Sequence, residues 1–139
     1  MTPEIPFVLQ EFVPDLTYDY RVVAIGEKYF VSKRLTRKND FRASGAKKFS
    51  FDFPVPVKLL DFASELHHKI HSPYLSIDVG EDKEGKLYLF EFQAEHFGIY
   101  TIIMGKGYYV QEAGTWKFVE EKKSFEEYLA YGLDLFLTS

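Results

Sequence analysis

Tyr20-Arg21-Val22-Val23-Ala24-Ile25-Gly26-Glu27-Lys28-Tyr29-Phe30-Val31-Ser32-Lys33 carries two runs rich in β-branched and aromatic residues on either side of Gly26-Glu27. Two intervening residues are the spacing of a tight hairpin, and glycine supplies the positive φ that such a turn requires. The stretch predicts antiparallel strands at 20–25 and 28–33, the seed of a sheet. A second pair lies at Tyr74–Val79 and Leu87–Phe92, joined by a charged turn containing Gly85. Upstream, Phe7–Phe12 is a short apolar-rich run stopped by Val13-Pro14-Asp15, which reads as a strand followed by a turn.

Between the two pairs the period changes. Leu59, Leu60, Ala63, Leu66 and Ile70 recur at helical spacing behind Pro56, a residue suited to a first helical turn. They predict about four turns, ended by Ser72-Pro73, because the residue before proline avoids the helical region. Ser124-Phe125-Glu126-Glu127 has the form of a capping box and predicts a last helix reaching Leu137. Residues 34–53 mix charges with Ser44 and Gly45 and show no helical period. They read as a long loop, suited to a ligand-facing lid, that ends in a short strand near Phe49–Phe53. With no internal repeat and no linker, residues 1–139 are expected to form a single α+β domain, a mainly antiparallel sheet packed with helices.

Composition bounds the function. A chain of 139 residues can bury one core, and 14 Phe, 10 Tyr and one Trp supply the apolar groups that disordered chains lack. The sequence shows neither a basic leader followed by an apolar run nor about 18 apolar residues in succession, so a soluble, cytoplasmic protein is expected, with no membrane partner. Having no cysteine, it can form neither disulfides nor thiolate metal sites. The net charge of −4 speaks against nucleic acid as a partner. That charge is uneven: Lys33, Arg34, Arg37, Lys38, Arg42, Lys47 and Lys48 are opposed within their window only by Asp40. The segment is either a local anion site or a solvated basic loop, and charge alone does not choose.

The second strand pair carries the chemistry. A two-residue turn at Glu84-Gly85, with Lys83 facing Lys86, would place Asp78 opposite Glu91. Side chains alternate along a strand, so Gln93 would share that face, and Ile77, Val79, Phe90 and Phe92 would supply the buried one. A loop of odd length would separate the three polar residues. Facing carboxylates repel, and a cation would reverse the sign. Oxygen donors few in number favour Mg²⁺, with Mn²⁺ an alternative, over Zn²⁺ or a calcium cage. The competing reading is a solvent-facing polar strand side. If repulsion governs, Asp78→Asn leaves metal-free stability unchanged or raised; if Asp78 accepts buried hydrogen bonds, that substitution lowers it.

In order along the chain stand Val8-Leu9-Gln10-Glu11-Phe12-Val13, Asp19-Tyr20-Arg21-Val22, Lys33-Arg34, Asp40-Phe41-Arg42-Ala43-Ser44, Ile77-Asp78-Val79 and Phe90-Glu91-Phe92-Gln93. This series, spanning residues 7–98, resembles the ATP-grasp ligases, nearest the branch of the ribosomal-protein glutamate ligase and glutathione synthetase. The resemblance implies the C-terminal ATP-grasp subdomain alone, without the substrate domain or the lysine-bearing subdomain that precedes it. It also implies ATP and Mg²⁺ as cofactors, an unknown carboxylate as substrate, and an acyl phosphate on the way to an amide. Gln10, Glu11 and Phe12 match the hinge that meets adenine, while Asp19 and Arg21 match positions near the nucleotide. Arg34 and Arg42 match arginines that hold phosphate, and Asp78, Glu91 and Gln93 match the magnesium triad.

The sequence departs from the family at Gln93 and Ser44, where asparagine is usual, and at Ala94–Gly98, where a Ser-Pro-Gly turn is common. Half of a cleft implies either an inactive fragment that needs its other half, or a non-catalytic remnant that binds a partner protein or self-associates. His67 and His71, one helical turn apart, lack a third zinc ligand and the HExxH pattern, and so read as surface or helix-end histidines. Tyr108, Tyr109, Trp116 and Phe118 read as packing or docking residues rather than a ligand-stacking surface.

Overall fold

Gly26 adopts φ 58°, and a Cβ there would lie 2.8 Å from the ring of Tyr131, so both backbone and space require glycine. In the computed structural model, which describes residues 6, 9–35 and 48–139, this turn joins β1 (Tyr18–Ile25) to β2 (Lys28–Leu35). Each strand runs two residues beyond its predicted end, which brings Asp19 opposite Arg34. The elements that follow are β3 (Phe49–Ser50), α1 (Val57–Ile70), β4 (Tyr74–Glu81), β5 (Leu87–Gln93), α2 (Tyr100–Ile103), β6 (Gly107–Glu112), β7 (Thr115–Glu120) and α3 (Phe125–Thr138). They form the expected α+β fold: one antiparallel sheet of seven strands in the order β5-β4-β1-β2-β6-β7, with β3 paired to β2.

α1 starts at Pro56 as its N-cap and ends at His71, which takes the left-handed conformation just before Ser72-Pro73. Its inward stripe of Leu59, Leu60 and Ala63 packs on Val22, Ala24, Val31, Leu75, Ile77 and Val79 of the sheet. His67 also turns inward. Its Nε2–H donates to the Ser72 carbonyl at 2.7 Å, which leaves Nδ1 to accept from the Tyr29 hydroxyl at 3.3 Å. The opposite face carries Val23, Ile25 and Phe30 against Ile102 of α2, Tyr108 of β6 and Tyr128 of α3. The capping box of α3 is present, with Ser124 and Glu127 each accepting the other's backbone N–H at 3.2 Å.

Several expectations need correction. Leu9–Val13 form no strand, and Phe7 and Val8 lie outside the described residues. Leu9 and Phe12 are 86% and 67% exposed, and the segment meets the sheet edge through the Gln10 side chain rather than through its backbone. β3 stops at Ser50 instead of Phe53, just before Pro54 and Pro56, neither of which can donate to a ladder. The β6–β7 hairpin was not anticipated; its Ala113-Gly114 turn has positive φ at both residues, and alanine there masked the turn signal. Within it Tyr108 is buried, Trp116 Nε1 donates to Asp61 at 2.7 Å, and Phe118 remains 46% exposed.

The β4–β5 hairpin reaches its register by an unexpected path. Asp82 N–H donates to the Lys86 carbonyl, so the loop is Lys83-Glu84-Gly85, three residues with Gly85 at φ 82°. That odd loop shifts the partner by one, and a bulge between Asp78 and Val79 shifts it back, so Asp78 does face Glu91. The extra residue is Phe90. Its ring lies 2.3 Å from where a Gly80 Cβ would stand, on the Asp78 side of the sheet, and Phe92 is 45% exposed; neither supplies the buried face as expected. Leu87 and Leu89 pack there instead.

Candidate functional site

Adjacent rungs of three central strands carry charge on one face. In the β1–β2 register Asp19 faces Arg34, and in the β1–β4 register Arg21 faces Asp78. Because Asp19 and Arg21 are two residues apart on β1, both rungs point to the side covered by α2 and α3. The side chains join in an alternating chain. Arg21 grips Asp78 bidentately, Nε to Oδ1 at 2.8 Å and Nη2 to Oδ2 at 2.9 Å. Arg34 Nη2 lies 3.0 Å from Asp78 Oδ2, while its Nε donates to Asp19 Oδ1 at 2.8 Å and Nη2 also donates to Asp19 Oδ2.

Taking these charges out of water carries a penalty of several kcal/mol per ion, which forked, charge-assisted bonds offset. Side-chain exposure is 3% for Asp19, 4% for Arg34, 6% for Asp78 and 16% for Arg21. Burial raises the Asp19 pKa against the opposing pull of Arg34. Burial alone would weaken the charge on Arg34, but the carboxylates of Asp19 and Asp78 outweigh it and hold the guanidinium protonated.

Glu91 and Gln93 border this chain on the sheet's outer strand. Glu91 is exposed, and among the described residues it makes no ion pair; Gln93 Nε2 donates to its Oε1 at 3.3 Å. Asp78, Glu91 and Gln93 are thus an all-oxygen donor set on one face, suited to a hard divalent cation. No three His, Asp or Glu side chains gather elsewhere among the described residues as such a group; the third donor here is an amide. Oδ1 of Asp78 accepts one hydrogen bond and keeps a lone pair, so the set fits a cation, with Asp78 the donor already committed to guanidiniums.

The structure therefore brings Asp19, Arg21, Arg34, Asp78, Glu91 and Gln93 onto one face. Arg42 lies outside the described residues. Gln10 sits at the β5 bulge, its Nε2 donating to the carbonyls of Leu89 and Phe90 at 3.2 and 3.3 Å. Glu11 and Phe12 lie farther along, lining a shallow cavity of about 290 Å³ with Asp82, Lys83 and Tyr88 at the hairpin tip. The basic segment divides: Lys33 turns to the opposite face, 3.8 Å over the Tyr18 ring, whereas Arg34 is buried.

Sequence reasoning missed Ser32, Thr101 and Gly98. Ser32 Oγ and Thr101 Oγ1, 2.8 Å apart, tie α2 to the sheet beside Arg21. Gly98 covers Arg21 so closely that a Cβ would stand 3.2 Å from Nη1. Ser32 was findable, two residues before Arg34 on the same strand; Gly98 and Thr101 belong to no periodic pattern.

The chain matches no protein-family model and no curated protein. The solved structures similar to it include a macrocyclase and an ATP-grasp ligase. The macrocyclase MdnC from Microcystis aeruginosa MRC, bound with precursor peptide MdnA, aligns with 61% of this chain and 25% of its own at 13% identity and a TM-score of 0.49. The ATP-grasp ligase PsnB, complexed with a minimal precursor, aligns with 89% of this chain and 36% of its own at 14% identity and a TM-score of 0.49. This chain thus spans between a quarter and little more than a third of either protein.

Proposed function

We propose that this chain supplies the nucleotide- and magnesium-binding wall of an ATP-dependent carboxylate–amine ligase of the ATP-grasp type, working through an acyl phosphate. The observation that carries the reading is the convergence of Asp19, Arg21, Arg34, Asp78, Glu91 and Gln93 on one sheet face, in the order of the family motifs. Asp78, Glu91 and Gln93 would hold the metal, which when bound neutralises phosphate charge. Arg21, the more exposed guanidinium, would meet phosphate oxygens, and buried Arg34 would hold Asp19 and Asp78 in place. Gln10–Phe12, crossing the β5 edge, would meet the base. The work is positioning and charge stabilisation, with no side-chain nucleophile.

The chain by itself is expected to bind the nucleotide without turning it over. Titration of a fluorescent ATP analogue with Mg²⁺ tests the reading. Saturable binding that Glu91→Ala weakens supports it, and equal binding by both proteins sinks it.

A second reading is a non-catalytic ATP-grasp remnant that binds a partner protein or self-associates. It is favoured by the closure of the Arg21–Asp78–Arg34–Asp19 chain, which satisfies these charges with no ligand. Association that depends on concentration in sedimentation, without nucleotide binding, would select it.

A further inference from the structure

Asp78 is the candidate metal ligand most heavily engaged: both of its oxygens meet guanidiniums, and a single lone pair of Oδ1 is left over. Oδ1 accepts from Arg21 Nε, and Oδ2 accepts from Arg21 Nη2 with Arg34 Nη2 at 3.0 Å. The two arginines are not equally free to leave. Arg34 is 4% exposed and bonded to both oxygens of Asp19, so releasing it would strand a buried charge pair. Arg21 is 16% exposed, and Asp78 is its single carboxylate partner among the described residues. Its Nη1 donates to no described residue and lies against Gly98, where a Cβ would stand 3.2 Å away.

A divalent cation seated on Asp78 and Glu91 would stand beside that guanidinium while the fork is intact, and in a desolvated place like charges repel strongly. Without Asp78, exposed Glu91 and half-buried Gln93 offer too few oxygens for a dedicated cation site. An oxyanion offers Arg21 a second planar partner for the same fork geometry.

Resting on the ligase reading and deepening it, we infer that Arg21 is a lock on Asp78: the cation site opens only when an oxyanion takes the Arg21 guanidinium. Arg21 is on this account a positioning residue that acts through Asp78. Cation and oxyanion then bind with positive coupling, and free divalent metal at ordinary concentrations does not load the chain.

The test measures Mn²⁺ uptake by electron paramagnetic resonance, with Mn²⁺ alone and with Mn²⁺ plus a non-hydrolysable ATP analogue. For Mn²⁺ alone, Arg21→Gln is expected to bind about tenfold more tightly than wild type, a gain within the usual range of coupling between sites. Adding Glu91→Ala to Arg21→Gln should remove that gain. Wild type should take up Mn²⁺ only together with the analogue. Should Arg21→Gln fail to fold by circular dichroism, Arg21→Lys keeps the charge but cannot fork, and it is expected to bind Mn²⁺ more tightly than wild type. Wild type binding Mn²⁺ alone as tightly as the Arg21 variant overturns the lock and leaves the ligase reading standing. A gain in the variant, with no uptake of the Mn²⁺ complex of the analogue by wild type, keeps the lock and removes the ligase reading.

Discussion

Asp78→Asn should destabilise the metal-free chain, although a reading from Asp78–Glu91 repulsion anticipates no loss. Asp78 is 6% exposed and accepts two bonds from Arg21 and a contact from Arg34. Asparagine keeps one acceptor oxygen and turns an N–H₂ toward a guanidinium that can only donate. Breaking a buried ion pair costs roughly 3–5 kcal/mol. Two features reduce that figure here: Arg34 keeps Asp19, and Arg21 can reach water. Relief of the cross-strand repulsion returns roughly 0.2–1 kcal/mol at most, since Glu91 is exposed. The net loss should be about 2–3 kcal/mol, at or just below the lower limit of the buried-pair range. Urea unfolding in the presence of a chelator, followed by circular dichroism, measures it through the midpoint at constant slope. Equal or greater stability of Asp78→Asn would refute the claim that the guanidinium contacts, rather than the facing carboxylate, govern this residue.

Other outcomes follow from the same contacts. Burial holds the His67 pKa below its ordinary 6.5, so the unfolded chain takes up a proton that the folded one refuses. His67's contribution is complete above 6.5 and is lost as pH falls toward the lowered folded value; His67→Gln should flatten that slope in pH-dependent unfolding. Gly26→Ala forces a side chain into φ 58° and against Tyr131, and should lose about 1 kcal/mol or more by thermal melting; an unchanged melt would contradict the turn geometry. Purified chain should show no magnesium-dependent ATP hydrolysis, and any that Glu91→Ala abolishes would overturn this expectation.

The first hairpin was legible because its turn fixes its register: Ile25 facing Lys28 places Asp19 opposite Arg34 by counting alone. Periodicity located α1, and the capping box located α3. Residues 9–12 misled because an apolar run shows that a segment could be a strand, not that a partner edge exists for its backbone. The carboxylate face was placed correctly while its chemistry was read differently. Strand alternation says which side chains share a face, but not that a guanidinium on the neighbouring strand reaches Asp78 first. β1 pairs with β4 across the 48 residues 26–73, and no local pattern announces which central strand will neighbour which.

The bulged hairpin between β4 and β5 bears on how this region tolerates insertion and deletion. One surplus residue in the turn and one at Phe90 restore Asp78 and Glu91 to the same rung, much as a second frameshift suppresses a first. Removing one residue from 83–85 while Asp82 still closes on Lys86 would leave every rung beyond the turn as it is, and removing Phe90 would take out the bulge and keep Asp78 facing Glu91. Either length change can therefore be inherited alone. A relative with the same number of residues between Asp78 and Glu91 but a two-residue turn should lack the bulge, and aligning it residue by residue with this chain would misplace each position between the turn and Glu91 by one.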